Sequence, residues 1–197
     1  MSRLIETIKI RNGKAYNLKY HNKRMNATRR KIWGCKRDID LSDKIAAKKV
    51  EELTKCRVIY DKDIQDIQFV PYELPLIYSL KLVYDNEISY SYKYENRDAL
   101  KQLFDKRNGC DDILIVKEGK VTDSYFCNVV FEKKGKFYTP YSCLLSGTKR
   151  QKLITNERVK EIEVKAEDIQ HFDCVHLINA MIDLEDDISV DKENILL

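Results

Sequence analysis

The stretch DILIVKEGKVTDSYFCNVVF at positions 112–131 decides how the chain is read. Its first run, Ile113-Leu114-Ile115-Val116, is apolar and rich in β-branched residues, the composition of a strand. Glu118-Gly119 is a turn signal, and a second run follows from Tyr125 to Phe131. Downstream, Lys134-Gly135 turns the chain into Phe137-Tyr138, and a helix is expected from Gly147. Two further β runs, Ile162-Glu163-Val164 and Val175-His176-Leu177-Ile178, precede an acidic segment. Upstream, Asn96 to Arg107 carries Leu100, Leu103 and Phe104 at helical intervals and ends at Asn108-Gly109.

The amino-terminal part repeats this mixture. Leu4-Ile5-Glu6-Thr7-Ile8-Lys9-Ile10 alternates, stops at Asn12-Gly13 and returns through Lys14-Ala15-Tyr16, the pattern of a hairpin. A helix is expected from His21 to Trp33, and a second near Ser42 with Ile45, Ala46, Val50 and Leu53 on one side. Short β runs follow at Arg57-Val58-Ile59-Tyr60, Ile67-Gln68-Phe69-Val70, Leu80-Lys81-Leu82-Val83-Tyr84 and Ile88-Ser89-Tyr90. Pro71 and Pro75 bracket Tyr72-Glu73-Leu74, and proline ends ladders and stiffens connections. The expected organisation is therefore a smaller lobe over 1–72, a linker over 73–78 and a larger lobe over 79–197.

Composition narrows the function. In 197 residues, 36 Lys and Arg against 32 Asp and Glu leave a formal charge of only +4, too slight for a chain devoted to wrapping nucleic acid. No run approaches the length of a membrane span, and the first residues lack the apolar core of a signal peptide. The six cysteines form no C-x-x-C pair and read as reduced packing thiols, so a cytoplasmic protein is expected. There is no G-x-G-x-x-G, no P-loop and no G-x-S-x-G, and His21, His171 and His176 show no metal-ligand spacing. No metal is expected.

What remains is a set of short patterns in a fixed order. Ile5-Glu6-Thr7-Ile8, then L-x-x-H-x-x-R from Leu18 to Arg24, resembles the start of the class IV aminotransferases, which use pyridoxal phosphate. Lys93-Tyr94-Glu95-Asn96-Arg97 resembles the K-x-x-N-R around the Schiff-base lysine of that family's aminodeoxychorismate lyases. Asp112 to Phe131 is similar to D-x-x-x-x-x-x-G-x-V-T-E-x-x-x-x-N-x-x-F, and Thr139-Pro140 is followed by Leu144-Leu145-Ser146-Gly147-Thr148-Lys149-Arg150 where the family has L-L-x-G-I-x-R. Ile178-Asn179-Ala180-Met181 resembles the lyases' N-A-L/M.

The resemblance implies roles. Lys93 would be the catalytic amine, since a lysine amine condenses with the cofactor aldehyde and, once displaced, moves a proton. Taken alone it would read as a surface lysine. Arg24 would hold the cofactor phosphate, helped by the backbone of Gly147 and Thr148 at a helix start. Lys149 adds charge there or lies on the surface, and Asn179 stands near the phosphate or the substrate carboxylate. Asp123 occupies the place where the family has glutamate on the pyridine nitrogen, with a shorter reach; its alternative is a turn residue. Thr7, Arg57 and Arg97 would line the substrate side, with a solvent-facing strand arginine the equal alternative for Arg57.

As a whole, the resemblance implies an α/β (α+β) enzyme with the two-lobed D-amino-acid aminotransferase-like fold and pyridoxal 5′-phosphate between the lobes. It further implies a homodimer acting on a small-molecule amino substrate. The implied reaction is cleavage of 4-amino-4-deoxychorismate to 4-aminobenzoate and pyruvate for folate synthesis, with a class IV transaminase and a non-catalytic relative as the alternatives. The sequence begins at the strand that follows the family's usual amino-terminal segment, so a more open substrate pocket is expected.

Overall fold

The run LIETIKIR forms β1 (Leu4–Arg11), and the chain reverses at Asn12 and Gly13, whose φ values of 51° and 70° suit the tight turn. β2 (Lys14–Ala15) pairs antiparallel with the end of β1, so the expected hairpin forms. Antiparallel β3 (Thr54–Tyr60) and β4 (Ile64–Pro71) complete a four-stranded sheet of order β2-β1-β3-β4. β1 is more deeply covered than simple alternation predicts, since the polar Glu6 and Lys9 are buried along with Leu4, Ile8 and Ile10. The helix α1 (Leu18–Trp33) ends at Gly34, whose φ of 66° lets its N–H reach the carbonyls of Arg29 and Arg30. Leu4, Ile8, Ile10, Met25, Cys56, Val58 and Tyr60 form the core here. Each such buried aliphatic side chain contributes about 1.5–3 kcal/mol.

The structure is a computed structural model that describes residues 3–45, 47 and 50–196. It divides into two compact units, one of 1–74 with 92–96 and the other of 75–91 with 97–197. This differs from the organisation expected from the prolines, because the segment carrying Lys93 returns to the first unit. Short β2 leaves the start of β1 open, and the segment fills that edge. Ile5 N donates to Lys93 O at 2.9 Å, Glu95 N donates to Arg3 O at 2.9 Å, and Leu4 bridges Tyr94.

Two expected elements do not form. Near Ser42 the described residues form a 3-10 turn (Leu41–Asp43), capped by Asp40, rather than a helix. The carbonyls of Val50 and Glu51 accept instead from Gly13 N and Asn12 N at 2.8 Å, bonds to the hairpin turn that a continuing helix would have kept for itself. Ala46, expected on that helix, lies outside the described residues. Ile88-Ser89-Tyr90 is not a strand, since Asp85 Oδ1 accepts from both Glu87 N and Ile88 N and closes a local turn.

The second unit is built on β5 (Leu80–Tyr84), β6 (Asp112–Lys117), β7 (Lys120–Ser124), β8 (Asn128–Lys133), β9 (Lys136–Pro140) and β10 (Lys160–Ile162). Helix α2 (Asp98–Phe104) lies in the crossover from β5 to the parallel β6, and is shorter than the 96–107 span predicted. β7 precedes a turn at 125–127, so the expected strand from Tyr125 begins only at Asn128. β11 (Cys174–Ile178) pairs with β8 and with β12 (Ser189–Asp191), while β13 (Ile195–Leu196) pairs with β5. Helix α3 (Thr148–Thr155) follows β9. Its buried Arg150 donates to Thr139 Oγ1 and to the Pro140 carbonyl, and pairs with Glu161 at 2.6 Å, which ties α3 to β9 and β10.

Candidate functional site

In the first unit, β1 and α1 bring together a buried acid and two bases. His21 and Arg24 are three residues apart and so share a face of α1, and both reach Glu6. Arg24 Nε donates to Glu6 Oε1 at 2.9 Å and Nη2 to Oε2 at 2.6 Å, a bidentate fork. His21 Nδ1 lies 2.6 Å from Oε2. Glu6 is fully buried, which alone would raise its carboxyl, but the Arg24 charge and the His21 bond outweigh burial and hold it at about 2. Burial lowers the His21 pKa despite Glu6, so at neutral pH the ring is uncharged and Nδ1–H is the donor. The Lys93 charge also acts on His21 in the same direction. Thus Lys93, Arg24 and His21 gather around one end of β1.

The other expected residues of this unit lie on neighbouring strands. Thr7 and Arg57 are directly opposed across β1 and β3. Arg57 Nη2 donates to Glu95 Oε1 at 3.0 Å, and Arg3 reaches Oε2 at 2.6 Å. Glu95, two residues past Lys93, thereby links Arg57 to the Lys93 segment.

In the second unit, Asp123 on β7 and Asn128 on β8 are paired across the strands. Asp123 Oδ1 accepts from Asn128 Nδ2 at 2.7 Å, and Oδ2 accepts from Leu144 N at 2.8 Å and Leu145 N at 3.1 Å. Asn128 extends the network, donating to Leu145 O at 2.8 Å and accepting from Gly147 N at 3.1 Å. Burial pushes the Asp123 carboxyl up to about 6, against the pull of Asn128 and the two amides. The residue therefore does hold a turn, but as a buried acid whose carboxyl burial raises to about 6. A carboxylate offers about four lone-pair directions, and three are taken by the chain.

Gly147 must be glycine, because a Cβ there would stand 2.0 Å from Asn128 Oδ1. Gly147→Ala is expected to displace Asn128, loosen Asp123 and cost about 2–3 kcal/mol. Urea unfolding measures this, and an unchanged midpoint would contradict it. From Gly147 the helix α3 begins without a side-chain cap, its own ladder starting with Gln151 N to Gly147 O, so Thr148 sits where the positive end of the helix dipole lies.

Lys149 is buried and ion-paired with Asp183, so its charge is directed to that carboxylate. Asn179 organises the turn after β11: Oδ1 accepts from Met181 N at 2.7 Å and Ile182 N at 3.1 Å, while Nδ2 reaches Cys127 Sγ at 3.2 Å. Arg97 lies over the Tyr125 ring at 4.5 Å and donates to the Tyr125 carbonyl. Its buried Nε has no hydrogen-bond partner, and neither has Asp112 Oδ2. Burial pushes Asp112 up to about 6. Glu6, His21, Asn128 and Asp112 were present in the quoted sequence patterns without an assigned role. An H-x-x-R on one helix face opposite a strand acid is the signal that would have paired the first two with Arg24.

The model of the family described as Amino-transferase class IV matches residues 92–184. An uncharacterised Haemophilus influenzae protein is 34% identical over 183 residues, covering 90% of this chain and 97% of its own. A Haemophilus somnus crystal structure, provisionally named a 4-amino-4-deoxychorismate lyase, matches with a TM-score of 0.87 and 32% identity over 93% of this chain and 98% of that one. A hypothetical aminotransferase from Mycobacterium tuberculosis in its PLP-bound form shares the fold, with a TM-score of 0.72 and 17% identity over 91% of this chain and 78% of that one. With the ordered patterns from Glu6 to Asn179 and these likenesses over nearly the full length, the chain belongs to the class IV aminotransferase family.

Proposed function

We propose that this protein is a pyridoxal-phosphate-dependent lyase that cleaves 4-amino-4-deoxychorismate to 4-aminobenzoate and pyruvate. The observation that carries the reading is the full-length likeness to the Haemophilus somnus protein provisionally named for that activity. The K-x-x-N-R at Lys93 to Arg97 supports the lyase over the family's transaminases.

The residues fit the cofactor. Asp123 is buried and keeps one acceptor direction, as a pyridine nitrogen requires. Arg24 uses two of its five N–H donors on Glu6, whose carboxylate fixes the plane of the guanidinium. Gly147, its N–H held by Asn128 Oδ1, and Thr148 open α3 without a side-chain cap, so the positive end of the helix dipole there favours an anion. When bound, the cofactor would supply a sink for the electrons left at the substrate Cα.

Lys93 would hold the cofactor by its aldehyde and, once displaced by the substrate amine, would take the Cα proton on Nζ, and Arg24 would be a phosphate ligand held by Glu6. Asp123 would keep the ring nitrogen protonated, and the start of α3 at Gly147 and Thr148 would serve the phosphate. Lys149 and Asn179 would act indirectly, through Asp183 and the 179–182 turn. Arg97 carries a buried Nε that an anionic substrate group would satisfy, and Thr7 and Arg57 would keep the substrate roles that the family resemblance implies. Following the family resemblance, the enzyme would work as a cytoplasmic homodimer. Among the described residues, no helix is long and apolar enough to cross a membrane.

The test is incubation of the cofactor-loaded protein with 4-amino-4-deoxychorismate and no 2-oxo acid. Pyruvate and 4-aminobenzoate are expected in equal amounts. Amino transfer that begins only when a 2-oxo acid is added, without pyruvate release, would replace the lyase by a transaminase. Failure to take up the cofactor would favour a non-catalytic relative.

A further inference from the structure

In the second unit, β8 and β11 bring a glutamate, a cysteine and a histidine to one face of the sheet. Cys174 and His176 are two apart on β11 and so point to the same side, while Glu132 on β8 stands directly opposite Cys174. Their donor atoms converge. His176 Nε2 lies 2.8 Å from Glu132 Oε2 and 3.4 Å from Cys174 Sγ, and Sγ lies 3.7 Å from Oε2. His176 is buried, whereas Glu132 and Cys174 are half-buried and give access from solvent.

We propose that Glu132, Cys174 and His176 form a binding site for a zinc-class divalent cation. A tetrahedral ion with bonds of about 2.0 Å to nitrogen and oxygen and about 2.3 Å to sulfur sets its donors about 3.3–3.5 Å apart. The two distances to sulfur already lie within a few tenths of an ångström of that spacing. The third is a hydrogen bond that the ion replaces, opening by about 0.5 Å.

An independent feature is the far side of the imidazole. His176 Nδ1 is buried without a hydrogen-bond partner, and the Asp187 carboxylate stands 3.6 Å from it. With Nε2 on the ion, the neutral ring carries its proton on Nδ1, the side that faces Asp187, as in the carboxylate–histidine–metal arrangement typical of such sites. The Cys174 thiol gives its proton to solvent as its sulfur binds. Three protein donors leave a fourth position for water, and the ion pins β8 to β11.

Apoprotein titrated with Co²⁺ is expected to bind one equivalent per chain, with the visible bands of tetrahedral cobalt and a thiolate-to-metal charge-transfer band. Cys174→Ser should remove the charge-transfer band, Cys35→Ser should retain it, and His176→Gln should weaken binding at least about ten-fold. No charge-transfer band in the wild type, or one that survives Cys174→Ser, would overturn the site. A measurement without variants uses iodoacetamide and mass spectrometry. Zn²⁺ should slow labelling of Cys174 at least about ten-fold relative to Cys35, and equal slowing or none would overturn the proposal.

Discussion

Lys93→Ala is expected to abolish the visible absorption of the protein loaded with pyridoxal phosphate and to lower kcat by about 10³-fold or more, since one amine serves both as the covalent anchor and as the proton carrier. The fold should survive. The contact that docks this segment on β1 is made by the Lys93 carbonyl with Ile5 N, which truncation of the side chain leaves in place. The variant should also raise the His21 pKa, because one positive charge that disfavours the imidazolium is gone. An unchanged far-UV circular dichroism spectrum with a lost visible band is the expected combination. Retained absorption and turnover would move the catalytic role to another lysine.

Glu6→Gln should strongly destabilise the first unit. The carboxyl is held at about 2, against 4.5 ordinarily, although burial pushes the other way. At about 1.4 kcal/mol per pKa unit this corresponds to about 3 kcal/mol. Replacement also leaves the Arg24 guanidinium, 16% exposed, beside a neutral amide. The folded pKa is lower than the unfolded one, so the contribution is complete above pH 4.5 and disappears as pH falls from 4.5 towards 2. Glu6→Gln should therefore melt about 6–12 °C below the wild type at pH 7, and the gap should close near pH 2–3. A gap that persists at low pH would show that the cost comes from packing rather than charge.

Much of the fold was legible because it is local. The Asn12-Gly13 hairpin, α1 and the run of strands from Ile113 follow from turn chemistry and apolar patterning over a few residues. The candidate residues were legible in a different way, through order and spacing against a family, and that is how Lys93, Asp123 and Gly147 stand out in a chain with 36 Lys and Arg residues. What stayed hidden depends on long-range pairing. No local pattern shows that 92–96 lies along β1, or that Val50 and Glu51 serve the hairpin turn in place of a helix. The expectation of no metal-ligand spacing rested on reading the histidines along the chain. Cys174-x-His176 gains Glu132 only through a strand register that spans more than 40 residues.

The identity of the lysine bonded to the cofactor decides the account most directly. Protein incubated with pyridoxal phosphate, reduced with borohydride and digested should yield one pyridoxyl-modified peptide by mass spectrometry, carrying its label on Lys93. A stoichiometric label on any other lysine, or none after reduction, would contradict it.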